Sequence, residues 1–125
     1  MLIVEDQENM RSKLREFLQQ AFPEKQIREA SDGRSALALC HQYRPSVVLM
    51  DINLPDVNGI ELTGRIKAMA PETTVIVVSA HTNRVYVERA IAAGASAFVE
   101  KHLVQEKLLT AVQRALGNSD QPGNI

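Results

Sequence analysis

Apolar residues fall into short unbroken runs along the chain, and the spacing of those runs outlines a layered fold. Runs led by leucine, valine or alanine cover residues 2–4, 47–50, 75–78 and 97–99, with Ser79 closing the third, and a weaker one covers about 26–30. Continuous apolar runs rich in β-branched residues are typical of strands buried on both faces of a parallel sheet. The pattern therefore predicts five strands.

The stretches between these runs carry apolar residues at helical spacing. Within residues 8–20, Met10, Leu14, Phe17 and Leu18 recur among charged residues, which indicates an amphipathic helix. Four further helices are predicted: one that ends near Tyr43, and others over 60–69, 85–93 and 104–116. Pro45, Pro71 and Gly94 lie just after the first three of these four helices.

The alternation of strand and helix predicts an α/β fold. Right-handed βαβ crossovers would build a doubly wound, five-stranded parallel sheet with helices on both faces. A length of 125 residues suits one domain, to which we assign residues 1–117. The polar, turn-rich residues 118–125 are interpreted as a linker or tail that could lead, in a longer protein, to an effector domain.

Composition narrows the class of protein. With 45% apolar and 23% charged residues and a formal net charge of -1, the chain has no basic field, so direct nucleic-acid binding is not expected. No apolar run approaches the roughly 18 residues of a membrane span. The single cysteine, Cys40, cannot form an internal disulfide. We therefore expect a cytoplasmic protein without membrane contact.

Reactive side chains follow four of the five predicted strands. Glu5 and Asp6 come after the first strand, Asp51 after the third, Ser79 ends the fourth, and Lys101 lies just past the fifth. Because the carboxyl ends of parallel strands share one edge of the sheet, these side chains are expected to converge in one cleft.

The residue types in this cleft point to phosphoryl chemistry. Three converging carboxylates repel one another, and Mg²⁺ relieves that repulsion, so Glu5, Asp6 and Asp51 are interpreted as its anchors. A carboxylate can attack phosphorus when positive charge and hydrogen-bond donors meet the phosphoryl oxygens. Asp51 is accordingly the predicted nucleophile, with Lys101 as the cation and Ser79 as the hydroxyl donor.

The ordered set of motifs resembles the receiver domains of two-component response regulators, over nearly the whole chain. The residues that carry the resemblance are the acid pair Glu5-Asp6, the D-x-x-L-P-x-x-x-G stretch with Asp51, Leu54, Pro55 and Gly59, the pair Ser79-Ala80, and Lys101. Any one of these motifs is weak evidence, but the complete set in order is specific.

The resemblance implies a fold and a mechanism. The fold would be the flavodoxin-like receiver fold with strand order 2-1-3-4-5. Asp51 would accept a phosphoryl group from a sensor histidine kinase or phosphotransfer protein, with the backbone carbonyl of Asn53 as a further Mg²⁺ ligand. Phe98 would be the switch aromatic that moves with Ser79. The chain would then be no enzyme acting on a separate substrate, but a switch that assists its own phosphorylation and dephosphorylation.

The resemblance also implies partners. The output would be a downstream effector domain or target protein, commonly one that controls transcription, and homodimerisation is left open. The kinase would rest on the first helix and the loop after Lys101, with Arg11, Leu14 and Leu103 as candidate contacts.

Several features leave alternatives open. A phosphorylation-independent interaction domain could keep this fold without using Asp51, whereas a hydrolase would need an acid where Asn53 stands. His81 and Asn53 each lie two residues past a site residue, and His81 is hypothesised to tune dephosphorylation. Arg84, Tyr86 and Arg89 are interpreted as a solvated or partner-facing stripe on the fourth helix.

Two positions depart from the family pattern. His102 follows Lys101 where many receivers have a cis-proline, so the Lys101–His102 peptide is either trans or strained, since a non-proline cis bond costs about 2.5–4 kcal/mol. Only Leu2, Ile3 and Val4 precede Glu5, so the first strand is short, and whether the native N-terminus has been trimmed is left open.

Overall fold

The structure, a computed structural model, describes residues 1–81 and 83–120, the last three by their backbone only. The strands are β1 Leu2–Val4, β2 Arg28–Ala30, β3 Val47–Met50, β4 Thr74–Ser79 and β5 Ala97–Glu100. The helices are α1 Glu8–Ala21, α2 Gly33–Tyr43, α3 Gly59–Met69, α4 Arg84–Ala92 and α5 Val104–Asp120, and a 3-10 turn covers Lys101–Leu103.

The five strands form one parallel sheet in the order β2-β1-β3-β4-β5. This confirms the doubly wound α/β fold and the strand order. All residues of β1 and β3 are buried, as are residues 75–79 of β4, which is the burial that their unbroken apolar runs predicted. The central strands therefore present their carboxyl ends between two covered faces.

Alternate residues of the central strands pack into two separate apolar layers. Val48 and Met50 of β3 belong to the layer under α2, α3 and α4, which includes Leu62 and Ile66 of α3. Leu49 of β3 belongs to the opposite layer, which the buried residues of α1 and α5 complete. The members from those two helices are Leu14, Leu18, Leu108, Val112 and Ala115. Both layers hold the sheet rigidly below the edge where the reactive residues lie.

The loop after β3 is anchored at both ends. Gly59 opens α3 so close to the preceding strand that an added Cβ would lie 2.0 Å from the carbonyl oxygen of Asp51. Asp56 accepts hydrogen bonds from the backbone N–H groups of Gly33 (2.8 Å) and Arg34 (3.1 Å), at the start of α2. The carboxylate thus satisfies free donors of a helix N-terminus and fixes the loop to α2.

Some boundaries differ from the prediction. Helix α5 continues to Asp120, four residues past the predicted end at Leu116, while 121–125 of the predicted tail lie outside the described residues. The peptide after Lys101 is trans, since no described peptide bond is cis. Within the described residues, no helix combines the length and the apolar character that crossing a membrane requires.

Candidate functional site

Asp51 and Glu5 extend their strands by one residue each into the cleft. The N–H of Asp51 donates to the carbonyl of Val4 at 3.0 Å, and the N–H of Glu5 donates to the carbonyl of Ala30 at 3.0 Å. Only 5% of Asp51 and 1% of Glu5 are exposed. Strand pairing therefore fixes the backbone of two carboxylates that burial would otherwise disfavour.

Lys101 reaches both buried carboxylates. Its Nζ lies 3.1 Å from Glu5 Oε1 and 3.4 Å from Asp51 Oδ1. The contact to Glu5 is an ion pair and not a hydrogen bond, so Glu5 Oε1 is a buried oxygen without a hydrogen-bond donor in the described residues. Glu5 Oε2 accepts from the N–H of Gln7 at 3.1 Å. One cation thus faces two acids, which leaves negative charge uncompensated.

The electrostatics of Asp51 reflect that imbalance. Burial first, and then the negative charge of Glu5, raise the pKa of Asp51 to about 6, because Lys101 offsets them only in part. An added cation would restore the ionised carboxylate that nucleophilic attack requires.

The predicted metal ligands are only partly assembled. Among the described residues, no three His, Cys, Asp or Glu side chains are grouped as a metal site. Glu5 faces Lys101, whereas the exposed Asp6 lines a depression with Asn53 beside Asp51. Mg²⁺ needs only one or two carboxylates because it retains several waters. Oxygen donors at Asp6 and Asp51 and a carbonyl at Asn53 fit such an ion, while Glu5 Oε1, which accepts no hydrogen bond from the described residues, contacts the ammonium of Lys101.

Ser79 ends β4 at the same edge of the sheet. It is 1% exposed, and its Oγ accepts a hydrogen bond from the backbone N–H of His81 at 3.0 Å. A hydroxyl that accepts one bond keeps its own O–H free to donate. The Ser79 hydroxyl can therefore donate a hydrogen bond, as its predicted role requires, because the bond that holds this turn does not use its proton.

Phe98 lies on β5 opposite Val77 of β4, one strand away from β3. The ring is partly buried and packs against the apolar layer under α2, α3 and α4. This placement gives an aromatic side chain with one side in the core, as the switch interpretation requires.

His81, Asn53 and Tyr86 form a cluster that the sequence did not predict. The side chains of Asn53 and His81 meet at 3.0 Å between Nδ2 and Nε2. The ring of His81 stacks on that of Tyr86, with centroids 4.6 Å apart and planes inclined by 26°. Tyr86 is therefore a packed residue and not part of a solvated stripe, whereas its neighbours Arg84 and Arg89 are exposed.

A second unpredicted feature ties α1 to the edge strand β2. Glu29 of β2 pairs with Arg11 and Arg15 of α1, and Arg11 also donates to the carbonyl of Glu5 at 3.0 Å. The signal in the sequence was the change of charge from Arg28 to Glu29, and it did not identify which cations Glu29 would pair with. Leu14, a predicted kinase contact, is 2% exposed and belongs to the core.

The comparisons with known proteins agree on one family. A sequence profile described as the response regulator receiver domain matches residues 1–113. The transcriptional regulatory protein DegU of Brevibacillus brevis is 32% identical over 90% of this chain and 48% of its own length. Protein CcdB of Bacillus subtilis is 38% identical over 94% of this chain and 98% of its own length.

Solved structures agree with these matches. The crystal structure of the signal receiver domain of a DNA-binding response regulator from Colwellia psychrerythraea 34H has a TM-score of 0.86 at 27% identity, covering 92% of this chain and 95% of that one. The chain thus spans about half the length of DegU but nearly all of CcdB.

Proposed function

The chain belongs to the response regulator receiver domain family, and on that premise we propose that it is a switch in which Asp51 accepts a phosphoryl group from a sensor histidine kinase or phosphotransfer protein. The observation that carries the proposal is the position of Lys101, whose ammonium contacts the buried carboxylates of both Glu5 and Asp51. A cation beside a buried acid at the end of a central strand is what phosphoryl transfer to a carboxylate requires.

The transfer is a displacement at phosphorus. A carboxylate oxygen of Asp51 attacks phosphorus, the P–N bond to the donor histidine breaks, and its electron pair stays on the imidazole nitrogen. Hydrolysis resets the switch when water attacks the same phosphorus. The P–O bond to Asp51 then breaks, inorganic phosphate leaves, and the carboxylate is restored.

The residues of this chain prepare the transfer by balancing charge. Asp6, Asp51 and the carbonyl of Asn53 would hold Mg²⁺, which supplies charge neutralisation for the phosphoryl oxygens when bound. Lys101 would exchange its contact with Asp51 for one with a phosphoryl oxygen. Glu5 would remain the second partner of the ammonium.

The switch would proceed through Ser79 and Phe98. Phosphorylation adds about 1.5–2 negative charges and three acceptor oxygens, to which the Ser79 hydroxyl can donate. A Ser79 drawn toward the phosphoryl group would pull on the loop that its Oγ now holds through the N–H of His81. Phe98 would then turn inward, and the face built by α4, β5 and α5 would change. The phosphate acts by shifting the equilibrium between the two arrangements of the domain. The free energy of that shift equals the difference between its interaction free energies with the two arrangements.

The output is proposed from the relatives. DegU is a transcriptional regulatory protein of which this chain matches about half, which supports a regulatory domain joined to a separate effector domain. A cytoplasmic location of the chain is part of the same proposal. CcdB is matched over nearly its whole length, which supports a receiver acting through a separate target protein. In either arrangement the partner, and not this domain, would contact DNA.

The test is the intact mass of the protein after incubation with Mg²⁺ and acetyl phosphate. We expect a gain of one phosphoryl group that is lost in Asp51→Asn and when a chelator is added. Lys107→Ala, an exposed change on α5, serves as a control that keeps the gain. A folded chain that gains nothing, from either acetyl phosphate or a phosphorylated kinase, would instead support a phosphorylation-independent interaction domain.

A further inference from the structure

His81 is held at three points, one through its backbone and two through its ring. Its backbone N–H donates to Ser79 Oγ at 3.0 Å. Its ring nitrogen Nε2 lies 3.0 Å from Asn53 Nδ2, and one face of its ring lies against Tyr86. Because the amide nitrogen of Asn53 can only donate, Nε2 accepts, and the ring proton is on Nδ1.

These contacts join the two loops that border Asp51. Asn53 follows Asp51 by two residues, and His81 follows Ser79 by two residues. The bond between their side chains therefore bridges the loops after β3 and β4, at the carboxyl edge of the sheet where Asp51 lies. Asn53 is exposed and His81 half-buried, so the bridge faces solvent.

Tyr86 supplies the rigid end of this bridge. It lies in the first turn of α4, and its ring packs against the apolar layer under α2, α3 and α4. A ring backed by the core can hold the imidazole in one orientation, whereas a hydrogen bond between two loops exposed to water holds little by itself.

We propose that Tyr86 is a positioning residue that holds His81 against Asn53, so that helix α4 sets how readily water and small phosphoryl donors reach Asp51. The inference rests on the proposed phosphorylation of Asp51. It makes the phosphate lifetime depend on a residue of α4 that acts through His81. The chemistry is unchanged: water attacks phosphorus, the P–O bond to Asp51 breaks, and phosphate leaves.

The geometry predicts a distinctive kinetic signature for Tyr86→Ala. Loss of the ring frees His81 and opens the bridge, so phosphorylation by acetyl phosphate and hydrolysis of the phosphoryl group both accelerate. Each rate is expected to rise about two- to tenfold, the range that one aromatic contact can supply. A shift of the switch toward its phosphorylated arrangement would instead speed phosphorylation and slow hydrolysis.

The experiment measures both rates by intact mass in the wild type and five variants: Tyr86→Ala, Tyr86→Phe, Val85→Ala, His81→Ala and the double variant Tyr86→Ala/His81→Ala. Tyr86→Phe keeps the ring and should restore wild-type rates, and Val85→Ala changes the neighbouring exposed residue of α4 as a control. Tyr86→Ala in a His81→Ala background should have no further effect, since Tyr86 acts through His81. The ¹⁵N chemical shifts of the His81 ring give an independent readout. Tyr86→Ala should move them from the values of the Nδ1–H tautomer toward those of an unconstrained imidazole, in which both tautomers are present. The circular dichroism spectrum should stay unchanged.

The outcomes separate the two hypotheses. A wild-type chain that is never phosphorylated overturns the proposed function, and this inference with it. A phosphorylated chain in which Tyr86→Ala leaves both rates unchanged, or moves them in opposite directions, overturns only the role of Tyr86. Unchanged His81 ring shifts in Tyr86→Ala would also overturn it, because the ring would not depend on Tyr86 for its position.

Discussion

The ammonium nitrogen of Lys101 lies 3.1 Å from Glu5 Oε1, a buried oxygen with no hydrogen-bond donor in the described part of the chain. The two residues follow β5 and β1, which are separated in the sheet by β3 and β4. The contact therefore crosses the whole site, and Asp51 lies against it with Oδ1 3.4 Å from the same nitrogen. One ammonium group at this edge therefore serves two carboxylates, so the charges do not balance in pairs.

Removal of the cation should destabilise the fold. Lys101→Ala leaves two buried carboxylates without a counter-charge, so we expect it to lower the free energy of unfolding by about 1–3 kcal/mol at pH 7.5 without metal. Urea unfolding measures the loss, and Lys107→Ala, which removes an exposed lysine of α5, is the matched control. Equal stability of the two variants would mean that Lys101 does not offset the buried charge.

The raised pKa of Asp51 makes stability depend on pH. Burial first, then Glu5, raises the pKa of Asp51 from 3.8 to about 6. The folded state therefore binds the proton more tightly, so this contribution is fully present below pH 3.8 and is lost as the pH rises through 6. Without metal, Asp51→Asn should be more stable than the wild type at pH 7.5, by up to about 3 kcal/mol.

The same comparison at pH 5 provides the check. The stability difference between the wild type and Asp51→Asn should shrink as the pH falls from 7.5 to 5, because the wild-type carboxyl becomes neutral. Urea unfolding with a chelator present at both pH values measures it. A difference that is constant with pH would contradict the raised pKa.

The close approach at Gly59 should tolerate no side chain. An added Cβ would lie 2.0 Å from the Asp51 carbonyl oxygen and 2.8 Å from Ile52 Cα, both backbone atoms that cannot move aside separately. We expect Gly59→Ala to destabilise the chain by about 3 kcal/mol or more. Gly64 in the same helix has nothing within 4 Å of an added Cβ, so Gly64→Ala should stabilise by about 0.5–1 kcal/mol. Thermal unfolding of both variants tests the contrast in sign.

Cys40 should be unreactive in the folded protein. It is fully buried in α2, and desolvation raises the pKa of its thiol to about 11. The reactive thiolate is therefore scarce at pH 8. A thiol reagent such as iodoacetamide should modify the native chain only at the rate at which it unfolds, and the urea-unfolded chain rapidly. Fast labelling under native conditions would contradict this burial.

Much of the site could be predicted because it depends on backbone topology. Unbroken apolar runs located the strands, and the residues that follow Val4, Met50 and Val99 had to approach one edge once those strands were parallel. Parallel strands place Asp51 and Lys101 at the same edge of the sheet, whereas the contact of their side chains across the intervening β4 is seen only in the structure.

The unpredicted contacts depend on side-chain direction within loops. His81 and Tyr86 are five residues apart across a helix start, and no periodicity indicates that their rings stack. Glu29 on an edge strand had many possible cations, and only the packing of α1 selects Arg11 and Arg15. Such contacts need the tertiary structure because sequence spacing constrains backbone direction far more than rotamers.

The two hydrogen bonds that Asp56 accepts from backbone N–H groups make the two sides of the site differ in how firmly they are held. On that side the loop after Asp51 is fastened to α2, and Gly33 leaves so little room that an added methyl would lie 2.3 Å from Val57. On the other side a single neutral hydrogen bond and one ring contact connect it to α4. The loop after Asp51 is therefore anchored more strongly to α2 than to α4, and we expect a disturbance at Asp51 to displace the α4 side of the site before the α2 side.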